Sequence, residues 1–249
     1  MSAARVEICV DSVQGCRAAA EGGAARVELC SAMSEGGTTP SAGLLAEACA
    51  GGIEVVVLVR PRAGDFLYGE DELAVMRRDI RAAKAAGARG VALGVLTADG
   101  DVDGARTAEL VALARPLQVC FHRAFDAARD LRAALDLLLE LGIDRVLSSG
   151  GAARAEDGLP LLAELVRHAG ERLSVVPAGG VRAHNAAAIL RASGARELHL
   201  SARASHPSPM RHRNPALRLG AGTAPDEYER MSTDVELVRA VVAAAGCLR

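Results

Sequence analysis

Short apolar runs of strand length alternate along this chain with longer stretches whose apolar residues return every three or four positions. Val6–Val10 predicts a first strand, and Val13–Glu21 a short helix stopped by Gly22-Gly23. Arg26–Cys30 predicts strand two, Leu44–Ala50 helix two, and the β-branched run Glu54–Arg60 strand three. Helix three spans about Asp71–Gly87, and strand four Gly90–Leu96. Helix four ends before Pro116, and Val119-Cys120-Phe121-His122 predicts strand five. Asp130–Leu141 reads as a helix with an Asp cap and a Gly142 stop. Strand six follows at Arg145–Ser149. A sixth helix starts near Pro160 and is closed by Gly170. Leu173–Pro177 predicts strand seven, a helix then runs to about Ser193, and Glu197–Ser201 predicts strand eight. Thr233-Asp234-Val235-Glu236 reads as a capping box opening a last helix, stopped by Gly246.

The pattern gives eight strands alternating with eight helices, which predicts a single-domain α/β fold, a (β/α)₈ TIM barrel. A doubly wound sheet is the alternative, but the first strand–helix turn lacks G-x-G-x-x-G. The connection from Ala202 to Met231 is too long to be idle, and is expected to fold over the barrel mouth or against a partner subunit.

Several of these strands turn ionic toward their carboxyl ends. Val119–Phe121 runs into His122-Arg123-Ala124-Phe125-Asp126, and Val55–Val59 into Arg60-Pro61-Arg62 and Asp65. Glu7, Glu28, Glu197 and His199 complete this set of strand-end ionic residues. A closed barrel collects strand ends at one rim, so a polar pocket is expected there. His122 is the candidate acid/base because imidazole titrates near neutrality, with Glu28 and Glu7 as carboxylate candidates. Arg60 and Arg123 are candidates to clamp a small anionic ligand, with Asp65, His199, Gly179 and Gly180 beside them; the Gly pair follows strand seven, where barrels often hold phosphate. Glu28, Asp65, His122, Glu197 and His199 are the candidates for a hard divalent metal. For any one of these groups the alternative is a salt bridge or hydrogen bond inside the barrel.

Composition narrows the chemistry. Half of the 249 residues are hydrophobic, chiefly Ala, Val and Leu, and there is no Trp. A net charge of −2 with mixed signs excludes a nucleic-acid footprint, and no apolar run approaches about 20 residues, so no membrane span is expected. Lys84 is the single lysine and falls near a helix end, which argues against Schiff-base catalysis. Asp99-Gly100-Asp101-Val102-Asp103 lacks the closing acidic ligand of a calcium loop. Cys9, Cys16, Cys30, Cys49, Cys120 and Cys247 form no C-x-x-C pair, and no signal-peptide h-region is visible; reduced thiols and a cytoplasmic location are expected. Alternation puts Cys9 with Glu7 on one strand face and Cys30 with Glu28 on the equivalent face of the next. Thiolates there would suit Cu(I), although a buried cysteine is also a common small hydrophobe.

Val27-Glu28-Leu29-Cys30, Glu35-Gly36-Gly37-Thr38-Thr39-Pro40-Ser41, Arg60-Pro61-Arg62-Ala63-Gly64-Asp65-Phe66, Gly94-Val95-Leu96, Phe121-His122-Arg123-Ala124-Phe125-Asp126, Glu197-Leu198-His199, and Ser208-Pro209-Met210 with Asn214 together resemble the CutC copper-homeostasis family. Thr38 and Ala63 depart from its usual Leu and Gly. The resemblance implies a cytoplasmic TIM-barrel protein of copper tolerance and copper binding, often a homo-oligomer, with Cys9 and Cys30 as the copper ligands. It names no reaction.

Overall fold

The computed structural model describes residues 4–217 and 227–246. Eight parallel strands form the barrel: β1 Arg5–Val10, β2 Arg26–Leu29, β3 Glu54–Leu58, β4 Gly90–Leu93, β5 Gln118–Phe121, β6 Arg145–Ser148, β7 Ser174–Pro177 and β8 Glu197–Leu200. Each pairs with its sequence neighbour, and β1 pairs with β8. A single parallel bridge, Ala178 to His199, links β7 to β8 and closes the ring. The chain is thus a TIM barrel.

The helices are α1 Val13–Glu21, α2 Ala42–Cys49, α3 Glu70–Ala85, α4 Gly104–Ala114, α5 Leu131–Glu140, α6 Leu159–Ala169, α7 Ala183–Ser193 and α8 Val235–Gly246. Their starts follow local chemistry. Ser12, Ser41, Asp103 and Asp130 each accept a hydrogen bond from a backbone N–H of the first turn. The cap of α8 is Asp234, which accepts from the N–H groups of Glu236 and Leu237 at 2.8 and 3.1 Å. Thr233, expected to open that box, instead ends a strand.

Two apolar clusters result from strand alternation. The larger lies between the strands' outward faces and the helices, and includes Ile8, Val27, Val57, Leu93, Phe121, Leu135, Leu162 and Leu198. The smaller fills the barrel's interior with Cys30, Val56, Leu58, Ala92, Cys120, Leu147, Val176 and Ala178. Small aliphatic side chains suffice here because an eight-stranded barrel has room inside only for packed side chains.

The long connection forms an antiparallel ribbon, β9 Arg203–Pro207 with β10 Glu229–Thr233, in which Thr233 pairs with Arg203. Within it, β10 packs against α1. Cys247 lies outside the described residues, as does the middle of this connection, 218–226. Among the described residues no helix is long and apolar enough to cross a membrane.

Candidate metal centre

The amino-terminal end of the barrel interior is closed by ions. Arg26, Arg145 and Glu197 are the first residues of β2, β6 and β8, and each points inward. Glu7, two residues into β1, joins them. Its Oε2 accepts from Arg26 Nε and, at 2.7 Å, from Arg145 Nη1. Arg26 Nη2 also donates to Glu197, whose Oε1 accepts from Ser174 Oγ at 3.1 Å. Two arginines thus face two glutamates in a charge-balanced plug. Burial by itself would raise Glu7. Arg145 foremost, then a hydrogen bond from His199 and the charge of Arg26, hold its carboxyl well below the usual range.

A second layer sits above the plug. His199 Nδ1 lies 2.8 Å from Glu7 Oε1, and His199 Nε2 lies 3.8 Å from Glu28 Oε2. Burial opposes charge on His199, but Glu28 and Glu7 outweigh it and raise its pKa. Burial raises Glu28, and the like charge of Glu7 adds to this against the pull of His199. The Cys9 thiol donates to Glu28 Oε2 at 3.5 Å, and its sulfur is 3.6 Å from Cys30 Sγ. The contact with Cys30, then burial and the charge of Glu28, push the Cys9 thiol well above its ordinary range.

This is where the candidate ligands meet. Cys9, Glu28 and His199 each offer one donor atom within 4.8 Å of the others. Cys30 adds a second sulfur against Cys9. Glu28 Oε1 is buried without a hydrogen-bond partner among the described residues. An unpaired carboxylate oxygen beside an imidazole and two thiols is a donor set that a cation fits. The register explains the convergence. Cys9 pairs with Glu28 across β1 and β2, which sets these two at one interior level; Glu7 pairs with His199 across β1 and β8 one inward step nearer the floor, and the His199 ring spans the two levels.

The remaining expected residues lie elsewhere. Arg60 is buried at the end of β3, with Nη1 donating to the carbonyls of Glu35 and Gly37 at 2.9 and 2.6 Å and Nη2 to Gly64 at 2.8 Å. It ties the loops after β2 and β3 together. Asp65 is paired with Arg62 at 3.0 Å in the exposed part of that loop. Arg123 Nε donates to Asp126 at 2.8 Å and Nη2 to Ser149 Oγ at 2.9 Å. Asp126 is further held by the N–H groups of Ser149 and Gly151. Gly179, at φ +92°, passes beneath the Arg123 guanidinium, and Gly180 beneath the Arg154 stem.

His122 does not join the interior cluster of donors. Its ring lies against Gly94 and 5.1 Å from the Phe66 ring, and its Nδ1 accepts from the Ala124 N–H at 3.1 Å. A Cβ on Gly94 would come within 2.6 Å of the imidazole, so only glycine leaves it room. Burial, aided by the nearby charge of Arg60, pushes its pKa down to about 3.

Arg26 and Arg145, the cations of the plug, are absent from the sequence-derived list of ionic strand ends. Strand alternation carried the signal: Arg26 shares a face with Glu28 and Cys30, and Arg145 with Leu147. They start their strands, as Glu197 does, and the plug they form places Glu7 and Glu197 at the amino-terminal end of the barrel rather than at the carboxyl rim where those two were expected.

Known proteins share the sequence and the barrel of this chain. The CutC family profile matches residues 4–204. A copper homeostasis protein cutC homolog from Mus musculus is 49% identical over 241 residues, covering 96% of this chain and 89% of the relative. A CutC family protein from Chromobacterium violaceum is 50% identical over 238 residues, covering 95% and 96%. Among solved structures, one assigned as a copper homeostasis protein CutC from Streptococcus agalactiae superposes with a TM-score of 0.76 at 31% identity, covering 80% of this chain and 98% of that one. With family profile, relatives and barrel in agreement, the chain belongs to the CutC family.

Proposed function

We propose that this protein handles copper by binding Cu(I) between Cys9 and Cys30 inside the barrel. The observation that carries the reading is the 3.6 Å approach of the two sulfurs, beside a buried glutamate oxygen with no partner among the described residues. Soft thiolates select Cu(I) over hard cations. The ion is cargo in this reading, and binding it moves protons. Cys9 already donates to Glu28, so Glu28 takes the thiol proton as sulfur takes the metal. A Cu(I) held by two thiolates carries one net negative charge. The raised pKa of His199 supports a positive neighbour that offsets it. The relatives' names place them in copper homeostasis, which agrees with this cargo. A cytoplasmic location fits as well, since thiols there stay reduced.

The test is anaerobic Cu(I) titration of the reduced protein against a chromophoric chelator. The wild type is expected to retain tightly held Cu(I), and the Cys9→Ser/Cys30→Ser variant to lose it. Undiminished binding in that variant would take these two ligands out of the account. Tight Zn(II) binding without Cu(I) binding would point to Glu28 and His199 as a hard site instead.

A further inference from the structure

The interior cluster that contains Cys30 has eight buried members and two partly buried ones, and those two are Cys9 and Met33. Among the described residues, every partly buried member of this cluster therefore carries sulfur. The other members are aliphatic side chains and two buried thiols.

The backbone around Met33 is built for this placement. Met33 opens a single 3-10 turn, Met33–Glu35, in the loop after β2. Its preceding residue, Ala32, has φ +48° and is the one non-glycine residue with positive φ among the described residues. A side-chain-bearing residue in that region is strained, and such strain persists only where surrounding structure enforces it. Here the enforcement is visible. Ser31 and Thr38 exchange backbone hydrogen bonds at 2.9 and 2.8 Å across the loop's base. Arg60 grips the carbonyls of Glu35 and Gly37 from below. Gly37, at φ +89°, lies so close to the interior that a Cβ there would meet Leu58 Cδ2 at 2.7 Å and Cys30 Sγ at 3.6 Å. The loop thus roofs Cys30 with backbone, and Met33 packs against the interior cluster to which Cys30 belongs.

We infer that the Met33 thioether is the outer sulfur ligand of the copper site, the donor that receives Cu(I) from solvent and hands it to Cys9 and Cys30. This rests on the copper reading above. A thioether is soft, neutral and carries no proton, so it binds Cu(I) without any proton release. Cu–thiolate bonds to Cys9 and Cys30 then form while the Cu–thioether bond is kept, so the settled ion has two thiolates and one thioether. The copper stays Cu(I) throughout; the Cys9 proton passes to Glu28, and the Cys30 proton is released to solvent. No other methionine among the described residues packs on this cluster: Met76 is buried in α3, and Met210 and Met231 are exposed on the long connection.

Selenomethionine-labelled protein, loaded with Cu(I), tests this without altering the chain. Copper-edge X-ray absorption is expected to show a selenium neighbour, lost in labelled Met33→Leu, a substitution of similar volume. In unlabelled protein, Met33→Leu is expected to slow Cu(I) uptake from the chelator and to weaken retention several-fold. The thiol-bound copper itself should remain. Absence of selenium at the copper, with uptake and retention in Met33→Leu equal to wild type, would overturn the inference and leave the dithiol reading standing. Loss of wild-type Cu(I) binding altogether would overturn both.

Discussion

Replacing Glu7 by glutamine would unbalance the floor of the barrel. Glu7 is 1% exposed and accepts from Arg26, Arg145 and His199. Glutamine keeps the shape but removes the charge, and turns one of its two polar atoms into a donor facing cations. The plug then holds two arginines against Glu197 alone. Breaking a buried ion pair from one side typically costs about 3–5 kcal/mol, because the remaining charge stays buried without its counterion. For a chain of this size each kcal/mol is worth roughly 2–4 °C, so the melting temperature should fall by roughly 6–20 °C. Far-ultraviolet circular dichroism through urea and thermal unfolding is the suitable assay, since the chain has no Trp to report by fluorescence. The depressed pKa of Glu7 adds a signature. Its stabilisation is complete above the unfolded carboxyl value, about 4.3, and is lost as pH falls through the lower folded value. The gap between wild type and Glu7→Gln should therefore close in acid. Arg145→Met supplies the cycle: removing both charges together should cost less than the two single losses added, by about 1–3 kcal/mol. A Glu7→Gln loss below about 1 kcal/mol, or strict additivity, would refute the plug as a charge-matched unit.

Two further outcomes follow from the titrating groups. Cu(I) affinity should rise with pH, by about tenfold per unit for the Cys9 proton alone, because that thiol remains protonated well above neutrality and the metal must displace its proton; chelator competition at several pH values measures this, and a flat profile contradicts displacement at Cys9. The His122 ring should keep constant long-range ¹H–¹⁵N shifts between about pH 5 and 8, where an ordinary histidine titrates, because its pKa is held at about 3; a transition near 6.5 would mean that the ring reaches solvent.

The barrel was legible because its signals are local and repeated. Each strand is a short β-branched or apolar run, and each helix carries its own cap or stop, as at Ser12, Asp130 and Gly142. Two-residue periodicity also carried the core of the site. It put Cys9 with Glu7, and Cys30 with Glu28, on the faces that meet at 3.6 Å. Depth along the strands could not be read in the same way. Glu7, Glu28 and His199 look alike as ionic residues on strands, but their level depends on the register between strands. That register separates a plug at the floor from a ligand set above it. The arginines were harder still. Arg60 has the right charge for an anion clamp, but its guanidinium is taken up by carbonyls of loops 25 and 23 residues away and of its own loop. A long side chain finds such partners only after folding.

The two layers together fix the direction of approach. The floor is a neutral network of four ions whose side chains are at most 13% exposed, and a cation entering from below would have to break it. From above, Cys30 is fully buried beneath Gly37, while Cys9 is only partly buried. An ion can therefore meet Cys9 before Cys30, and the deeper sulfur completes the site rather than starting it. The elevated Cys9 pKa adds a threshold to this order. A protonated thiol is a poor first ligand, and Glu28 lies where it can take that proton. Selectivity then comes from enclosure as well as softness. A hard, strongly hydrated cation would shed its water to reach a largely apolar chamber, whereas Cu(I) recovers that cost from sulfur. On this argument Glu28→Gln should leave both sulfurs in place yet slow Cu(I) loading, with the deficit shrinking as pH rises and solvent base takes over the proton. Loading as fast as wild type at neutral pH would show that the proton leaves by another route.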